Sequence, residues 1–473
     1  MTEQGVRACF KAYDIRGRVP DELDAELSAA LGLALAAEFP LSRVVLGRDT
    51  RFSGLELGAA LADGLRGAGV EVTEIGLCGT EEIYHAAASK GFDLGIMLTA
   101  SHNPAEYNGI KIVLKGALPL SGDTGLFRLR DRILRRDFKI HPNNAGRARG
   151  GLRQESFRGE YLDFLRGNFR HLGALGGARP LKLLMNAGNG SAGPVLEDLM
   201  PQIPVEWVLI QGEPDGTFPN GVPNPLLPEK RADTSRAVQE KGADLGLAWD
   251  GDFDRCFFYD GRGEFVESYY LLGLLAQDAL ARAGGKGKIL HDTRLFWNTV
   301  ELVRAAGGTP VQYKTGHAFM KEKMRLENAL YGGEMSAHHY FRDFYFCDSG
   351  MLPWLRLLDI LLDLAESGQE GGLAELVAAR IAAYPCSGEI NFKVAGAQAV
   401  AEAVRMAFAG EIQAEDHLDG LSADCGNWRF NLRSSNTEPL LRLNVEARGK
   451  RDLMLEKTSA IAGVIKRNGG ENA

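Results

Sequence analysis

The chain has 473 residues, enough for about three domains, or four if some are small. Apolar residues make up 45% and charged residues 25%, the balance of a globular chain, which excludes wholesale disorder. Lys and Arg total 54 against 62 for Asp and Glu, a net charge of −8 that argues against a nonspecific grip on nucleic acid.

The first ten residues lack the basic-then-apolar pattern of a signal segment. The longest apolar stretch, residues 27–37, is too short to span a bilayer. The β-branched run at residues 43–47 reads as a strand. Residues 55–66 have helical periodicity and stop at Gly67–Ala68–Gly69. Residues 70–75 read as a strand, 82–90 as a helix and 93–99 as a strand. This alternation predicts βαβ units and a largely parallel sheet. Residues 128–139 carry six basic side chains against two acids and read as a solvated helix face.

The rhythm restarts at residues 181–185, with a turn at Asn186–Ala187–Gly188–Asn189–Gly190, and again at residues 288–291. Beyond Pro385 the character changes. Residues 428–433 and 441–447 alternate apolar and polar at period two, the mark of half-buried antiparallel strands. A helix over 453–466 closes the chain, and Ala383–Tyr384–Pro385 reads as a hinge. The six cysteines (Cys9, Cys78, Cys256, Cys347, Cys386, Cys425) are scattered and form no C-x-x-C pair. That pattern disfavours a disulfide framework or structural zinc and points to a reduced, cytoplasmic protein.

Four loops concentrate chemistry. Thr99–Ala100–Ser101–His102–Asn103–Pro104 follows a predicted strand, where open α/β sheets bind ligands. It lacks the G-x-S-x-G of a hydrolase elbow, so from spacing alone an ordinary turn is the stronger reading. Asp250–Gly251–Asp252–Phe253–Asp254–Arg255 follows the buried-looking strand 245–249. Its carboxylates at i, i+2 and i+4 share one side of an extended chain, Gly251 lets the backbone bend, and a hard cation such as Mg²⁺ would relieve their repulsion. Arg433–Ser434–Ser435–Asn436–Thr437 offers a guanidinium, hydroxyls and an amide, the inventory of a phosphate clamp or of a polar turn. Gly333–Glu334–Met335–Ser336–Ala337–His338–His339 suits a hydroxylated ligand, and its two histidines lack the further ligands of a zinc site. Tyr13, Arg16, Lys111, Lys314 and His317 are further candidates, each equally consistent with a structural role.

Taken together and in order, these motifs resemble one family, the α-D-phosphohexomutases. Gly79–Thr80–Glu81–Glu82–Ile83–Tyr84, Pro223–Asn224–Pro225–Leu226–Leu227–Pro228 and His338–His339–Tyr340–Phe341–Arg342–Asp343 are most similar to its bacterial phosphomannomutase branch. The resemblance implies an α/β fold of four domains around a central cleft: three related α/β domains and a smaller C-terminal α+β domain. The boundaries would be 1–148 with the phosphoserine loop, 149–260 with the metal loop, 261–380 with the sugar loop and 386–473 with the phosphate loop. A C-terminal domain hinged near Pro385 would close over the cleft.

The family's activity implies an isomerase that interconverts mannose 6-phosphate and mannose 1-phosphate. It would work through phosphorylated Ser101 and a hexose 1,6-bisphosphate, which also acts as activator, and would feed GDP-mannose and polysaccharide precursors. Mg²⁺ would be held by Asp250, Asp252, Asp254 and a Ser101 phosphate oxygen. Lys111 would be the acid/base, once nearby cations or burial lower its pKa, with His102 and Arg255 beside it. Glu334 and Ser336 would grip sugar hydroxyls. Arg433, Ser435, Asn436 and Thr437 would hold the non-reacting phosphate, with Tyr13, Arg16, Lys314 and His317 lining the cleft. Ala337 stands where many members carry glycine, which keeps phosphoglucomutase or dual specificity as alternatives. A metal-dependent sugar phosphatase using Ser101 is the alternative of another class. The partner is a small sugar phosphate, with no nucleic acid and no membrane, and monomer and homo-oligomer are both open.

Overall fold

The structure is a computed structural model and describes residues 2–172, 180–369, 371–434 and 440–473. It divides into two compact units, Met1–Phe265 with His338–Glu370, and Val266–Ala337 with Gly371–Ala473.

The first unit opens with a mixed sheet. Its strands lie in the order Ile15–Arg18, Tyr107–Leu114, Leu94–Leu98, Arg43–Arg48, Glu71–Leu77, Leu152–Gln154. The inner strand Leu94–Leu98 is buried along its whole length. The apolar stretch near the start becomes the helix Ala25–Glu38. Asp24 caps it by accepting from the Leu27 N–H at 2.7 Å. Leu27, Leu31, Ala34 and Leu35 on that helix are buried in the core. The helix Ser53–Gly67 crosses it closely, and a Cβ on Gly64 would stand 2.2 Å from the Ala29 carbonyl.

The sheet is less parallel than the alternation predicts. Arg43–Arg48 pairs in parallel with Glu71–Leu77 and with Leu94–Leu98. Tyr107–Leu114, however, runs antiparallel to Leu94–Leu98 and to Ile15–Arg18. The connection over residues 99–106 is too short for a crossover helix, which needs about a dozen residues.

A second sheet places Lys182–Asn186 and Leu245–Trp249 in parallel register. Leu245–Trp249 then pairs antiparallel with Cys256–Asp260. Both strands of that hairpin are fully buried, so the acidic turn joining them sits at the end of a dry layer. The pair His339–Phe341 and Cys347–Asp348 and the helix Leu352–Glu366 complete the unit.

Glu81, in the helix Thr80–Ser89, fastens this last segment. It is fully buried and accepts from Ser349 Oγ at 2.6 Å and Tyr161 OH at 2.8 Å, and from the N–H groups of Gly350 at 2.6 Å and Met351 at 3.0 Å. Burial pushes its pKa up to about 8, against the pull of these four donors. Glu81→Ala would strand the donors in a dry interior, at about 1–3 kcal/mol for each group left unpaired. The expected loss is about 3 kcal/mol or more, read as a fall in the urea unfolding midpoint. An unchanged midpoint would contradict this account.

In the second unit, Thr309–Gln312, Lys288–His291 and Tyr331–Gly333 form a parallel three-stranded layer. The C-terminal part is an antiparallel sheet in which Trp428–Ser434 and Leu440–Ala447 are central. The helices Ala397–Ala407 and Arg451–Arg467 contribute Val400, Val404, Ile461 and Ile465 to its core. The helix Leu373–Ala383 ends just before Pro385, as read from sequence. The expected hinge there is crossed by buried polar contacts. Glu446 accepts from Tyr269 OH, from the Phe296 N–H at 3.0 Å and from Arg429 at 2.9 Å, so both sides of Pro385 belong to one compact unit. Among the described residues, no helix is long and apolar enough to cross a membrane.

Candidate active site

Ser101 lies just past the strand Leu94–Leu98 with φ 51°, a left-handed conformation that costs a non-glycine residue about 1–2 kcal/mol. Its surroundings hold it there. The buried Arg51 donates to four carbonyls, of Ser101 (3.1 Å), Asn103 (2.5 Å), Pro104 (2.6 Å) and Tyr107 (2.8 Å). Asp49 accepts from Thr99 Oγ1 at 2.7 Å, and Thr99 Oγ1 accepts from the Ser101 N–H at 2.8 Å. The loop is therefore built from outside itself. No helix follows Pro104; the chain turns into the strand Tyr107–Leu114.

The acidic turn meets this loop directly. Ser101 Oγ donates to Asp250 Oδ2 at 2.6 Å. The carboxylates converge because the chain turns, with the Phe253 N–H donating to the Asp250 carbonyl at 3.2 Å and Phe253 at φ 48°. This replaces the extended run expected from the i, i+2, i+4 spacing. Gly251 lies in this turn, as expected, and a Cβ there would stand 2.5 Å from the Ser101 carbonyl, so glycine also permits the close approach of the two loops.

Asp250, Asp252 and Asp254 are all at most 1% exposed, and one oxygen of each lies within 4.8 Å of the others. Lys111 donates to Asp252 at 2.6 Å and to Asp254 at 2.5 Å, and Arg255 donates to Asp250 at 2.6 and 2.9 Å. Three carboxylates thus face two cationic side chains. Asp252 Oδ1 and Asp254 Oδ1 are buried and accept no hydrogen bond from the described residues. Hard oxygen donors with open lone pairs in a dry site fit a divalent cation, so the cluster could hold a metal.

Burial works against the charges in this cluster. Lys111 and Thr80 nonetheless outweigh it at Asp252 and hold that carboxylate below the usual range. At Asp254, burial and the neighbouring Asp252 and Asp250 win, and its pKa rises. A cation must therefore displace a proton from Asp254 as conditions turn acidic. Apparent cation affinity is expected to fall by up to about tenfold per pH unit below neutrality. Titration calorimetry across that range, in buffers of differing ionisation enthalpy, reads both the slope and the proton released; a pH-independent affinity would refute it.

Burial also opposes the charge of Lys111, but Asp252, Asp254 and Asp348 push its pKa above the ordinary lysine value. The lowering expected for a base is absent, and Lys111 stands as a cation held between Asp252 and Asp254. His102 behaves oppositely. Burial first, then Arg255, Arg16 and Lys111, push it well below its usual value, so its ring is neutral. Its Nδ1 lies 2.9 Å from Ser101 Oγ, and Arg255 reaches both His102 and, at 3.2 Å, Ser101 Oγ. Arg16 bridges Asp14 and Asn103, each at 2.6 Å. Tyr13 is half-buried on the same segment.

Residue reading missed several members of this cluster. Asp49 and Arg51 follow the end of the strand Arg43–Arg48, where polar residues are a usable signal. Thr80 gives its hydroxyl to Asp252 at 2.5 Å. His338 Nδ1 lies 3.1 Å from Asp348 Oδ2, and both stand beside Asp254. Its neighbour His339 is fully buried, in the strand His339–Phe341.

The second unit carries the remaining candidates. Glu334 is buried and accepts from the Gly316 N–H at 2.9 Å, which ties the loop after Tyr331–Gly333 to the loop bearing Lys314 and His317. Lys314 lies over the Phe319 ring and His317 opens the helix His317–Glu327. Ser336 Oγ accepts from Arg294 at 3.3 Å, and Arg294 also holds Asp292 at 2.7 Å. Ala337 has φ 67°, the left-handed geometry that glycine adopts without strain. Arg433 is buried on the strand Trp428–Ser434 and donates to Glu389 at 3.2 Å. Ser435, Asn436 and Thr437 lie outside the described residues.

Comparison with known proteins adds an independent line. Residues 7–139, 159–263 and 267–384 match the phosphoglucomutase/phosphomannomutase alpha/beta/alpha domains I, II and III, and residues 389–461 match the C-terminal domain of the same group. The chain is 53% identical over 457 residues to a Xanthomonas campestris protein named as phosphohexose mutases, covering 97% of this chain and 99% of that one. It is 52% identical over 462 residues to a phosphomannomutase of Salmonella typhimurium, covering 97% and 98%. Among solved structures, a phosphoglucomutase/phosphomannomutase family protein from Burkholderia thailandensis matches with TM-score 0.85 and 32% identity, over 98% of this chain and 99% of that chain.

Proposed function

The chain belongs to the phosphoglucomutase/phosphomannomutase family, and from that premise we propose that it interconverts mannose 6-phosphate and mannose 1-phosphate, an isomerase reaction of the phosphomannomutase type. The observation that carries the chemistry is the hydroxyl of Ser101 set 2.6 Å from Asp250 within one buried acidic cluster.

In this reading Ser101 carries a phosphoryl group in the resting enzyme. A sugar hydroxyl attacks that phosphorus. The bond to Ser101 Oγ breaks, a bond to the sugar oxygen forms, and the hydroxyl proton passes to a neighbouring base. The resulting 1,6-bisphosphate turns over, and its other phosphate returns to Ser101. Free hexose 1,6-bisphosphate would re-prime an enzyme that had lost its phosphoryl group.

His102 is neutral beside Ser101 Oγ, and as a weak base it serves there as a hydrogen-bond partner of that oxygen. Lys111, charged and paired to Asp252 and Asp254, is assigned as the acid/base, a role in which that pairing must loosen. Arg255 sits against both Ser101 Oγ and Asp250, placed to balance negative charge on the group in transfer. Asp250, Asp252 and Asp254, with a phosphoserine oxygen, would hold Mg²⁺, which when bound neutralises charge on phosphoryl oxygens. Glu334 and Ser336 are assigned to sugar hydroxyls, and Arg433 with Ser435, Asn436 and Thr437 to the non-reacting phosphate. Tyr13, Arg16, Lys314 and His317 are assigned to the substrate. A reducing, cytoplasmic setting is assigned from the scattered placement of the six cysteines along the chain.

The test supplies purified protein with mannose 1-phosphate, Mg²⁺ and a trace of hexose 1,6-bisphosphate. Mannose 6-phosphate is the expected product. Its absence refutes the proposal, and phosphate released one for one with substrate consumed favours the phosphatase reading instead. Ala337 at its left-handed position keeps glucose phosphates as a second substrate class, and relative kcat/KM on the two hexoses decides between them.

A further inference from the structure

We infer that Glu389 is a positioning residue that holds the sugar-hydroxyl groups and the phosphate group of the second unit in one fixed frame. The inference rests on the proposed function of Glu334, Ser336 and Arg433, and adds a residue that contacts no reacting atom.

Glu389 lies on the strand Cys386–Lys393, where the register with Leu440–Ala447 shifts between Cys386 and Glu389. Such an irregularity re-aims the side chain that follows it. Three guanidinium groups then converge on this one buried carboxylate. Arg294 donates to Oε2 at 3.2 Å, Arg433 to Oε2 at 3.2 Å, and Arg442 pairs with Oε1 at 3.3 Å. The three come from separate segments. Arg294 belongs to the loop after Lys288–His291, whereas Arg433 and Arg442 stand directly opposite each other on adjacent antiparallel strands. Like charges so placed repel. Glu389 lies against both and removes the conflict.

Arg294 carries the link onward. It is 1% exposed, donates to Ser336 Oγ at 3.3 Å and stands 3.8 Å from Glu334. An unbroken path therefore runs from the sugar loop through Arg294 and Glu389 to Arg433. A ligand that carries both a hydroxyl pattern and a phosphate needs these contacts at a set separation, and one carboxylate spans it. The guanidiniums keep Glu389 charged throughout: burial would raise its pKa, yet Arg433, Arg294 and Arg442 hold it down to about 2.

Glu389→Gln keeps the shape and removes the charge. The folded variant is expected to show a KM for mannose 6-phosphate raised about tenfold or more, with kcat changed by less than about threefold. A role in stability alone would lower the melting temperature and leave KM in place. In an Arg433→Met background the same substitution should add less than it does alone, because part of its effect runs through Arg433 and the rest through Arg294. A folded Glu389→Gln enzyme with KM within about twofold of wild type, or full additivity with Arg433→Met, overturns the inference. If Glu389→Gln does not fold, Glu389→Asp serves, since it keeps the charge on a shorter arm. An intermediate KM supports the inference and a wild-type KM overturns it. If the wild-type protein fails to turn over mannose phosphates, it is the proposed function that falls. Calorimetric binding of inorganic phosphate then decides about Glu389: weakened binding in folded Glu389→Gln sustains the role, and unchanged binding ends it.

Discussion

Ser101→Ala is expected to abolish mutase turnover, by about ten-thousandfold or more, while leaving the fold intact. Alanine accepts the same φ of 51° at a similar cost, and Arg51 grips this loop through backbone carbonyls and not through the Ser101 side chain, so the backbone is held as before. Asp250 loses the Ser101 hydroxyl but keeps Arg255 at 2.6 and 2.9 Å, so no buried charge is stranded. The change in stability should stay within about 1 kcal/mol. Intact mass supplies the second readout. Wild-type protein should carry the added mass of one phosphoryl group, and the variant should carry none. Appreciable turnover by the variant, or a phosphoryl mass that survives the substitution, would place the nucleophile elsewhere.

Asp252→Asn carries the next largest effect. The amide is nearly isosteric and can still accept from Thr80, so the turn should persist. It removes one charge from a cluster in which three carboxylates face Lys111 and Arg255. Lys111 then leans on Asp254 alone among its two direct partners. The expected outcome is a fall in kcat/KM of about a thousandfold and a much higher Mg²⁺ requirement. A chelator should silence the wild-type enzyme, and Mg²⁺ should restore it but not the variant at the same concentration. A variant that keeps wild-type activity and Mg²⁺ dependence would remove Asp252 from the site.

The loops that carry chemistry were legible because each is local. Ser101 follows a run of apolar residues that could only be a buried strand, and Asp250 follows another, Leu245–Trp249, whose observed bounds match those read from residues alone. The period-two alternation likewise marks the antiparallel strands Trp428–Ser434 and Leu440–Ala447, but they are buried on both faces and not half-buried, because polar side chains such as Arg429, Asn431 and Glu446 find buried partners. Another reading differs where non-local packing overrode local geometry. The carboxylate spacing suggested an extended chain, but the acids occur in a turn. The proline at 385 ends the helix Leu373–Ala383, and Glu446 bonds back to Tyr269 and Phe296 across it.

The sequence by itself determined which side chains are available: a serine loop, an acidic run, a Gly-Glu-Met-Ser loop and an arginine-bearing strand, in an order that marks the family. It also determined the local conformations that spacing and glycine placement control. Only the tertiary structure decided the charge state and orientation of those groups. Asp49 and Arg51 shape the Ser101 loop from about fifty residues away, Thr80 and Lys111 fix Asp252, and Glu389 gathers three arginines from distant segments. The physical reason is that desolvation and Coulomb interactions depend on what surrounds a group in space. Chain neighbours supply little of that environment, and a lysine that looks like a base in sequence becomes a fixed cation between two buried carboxylates.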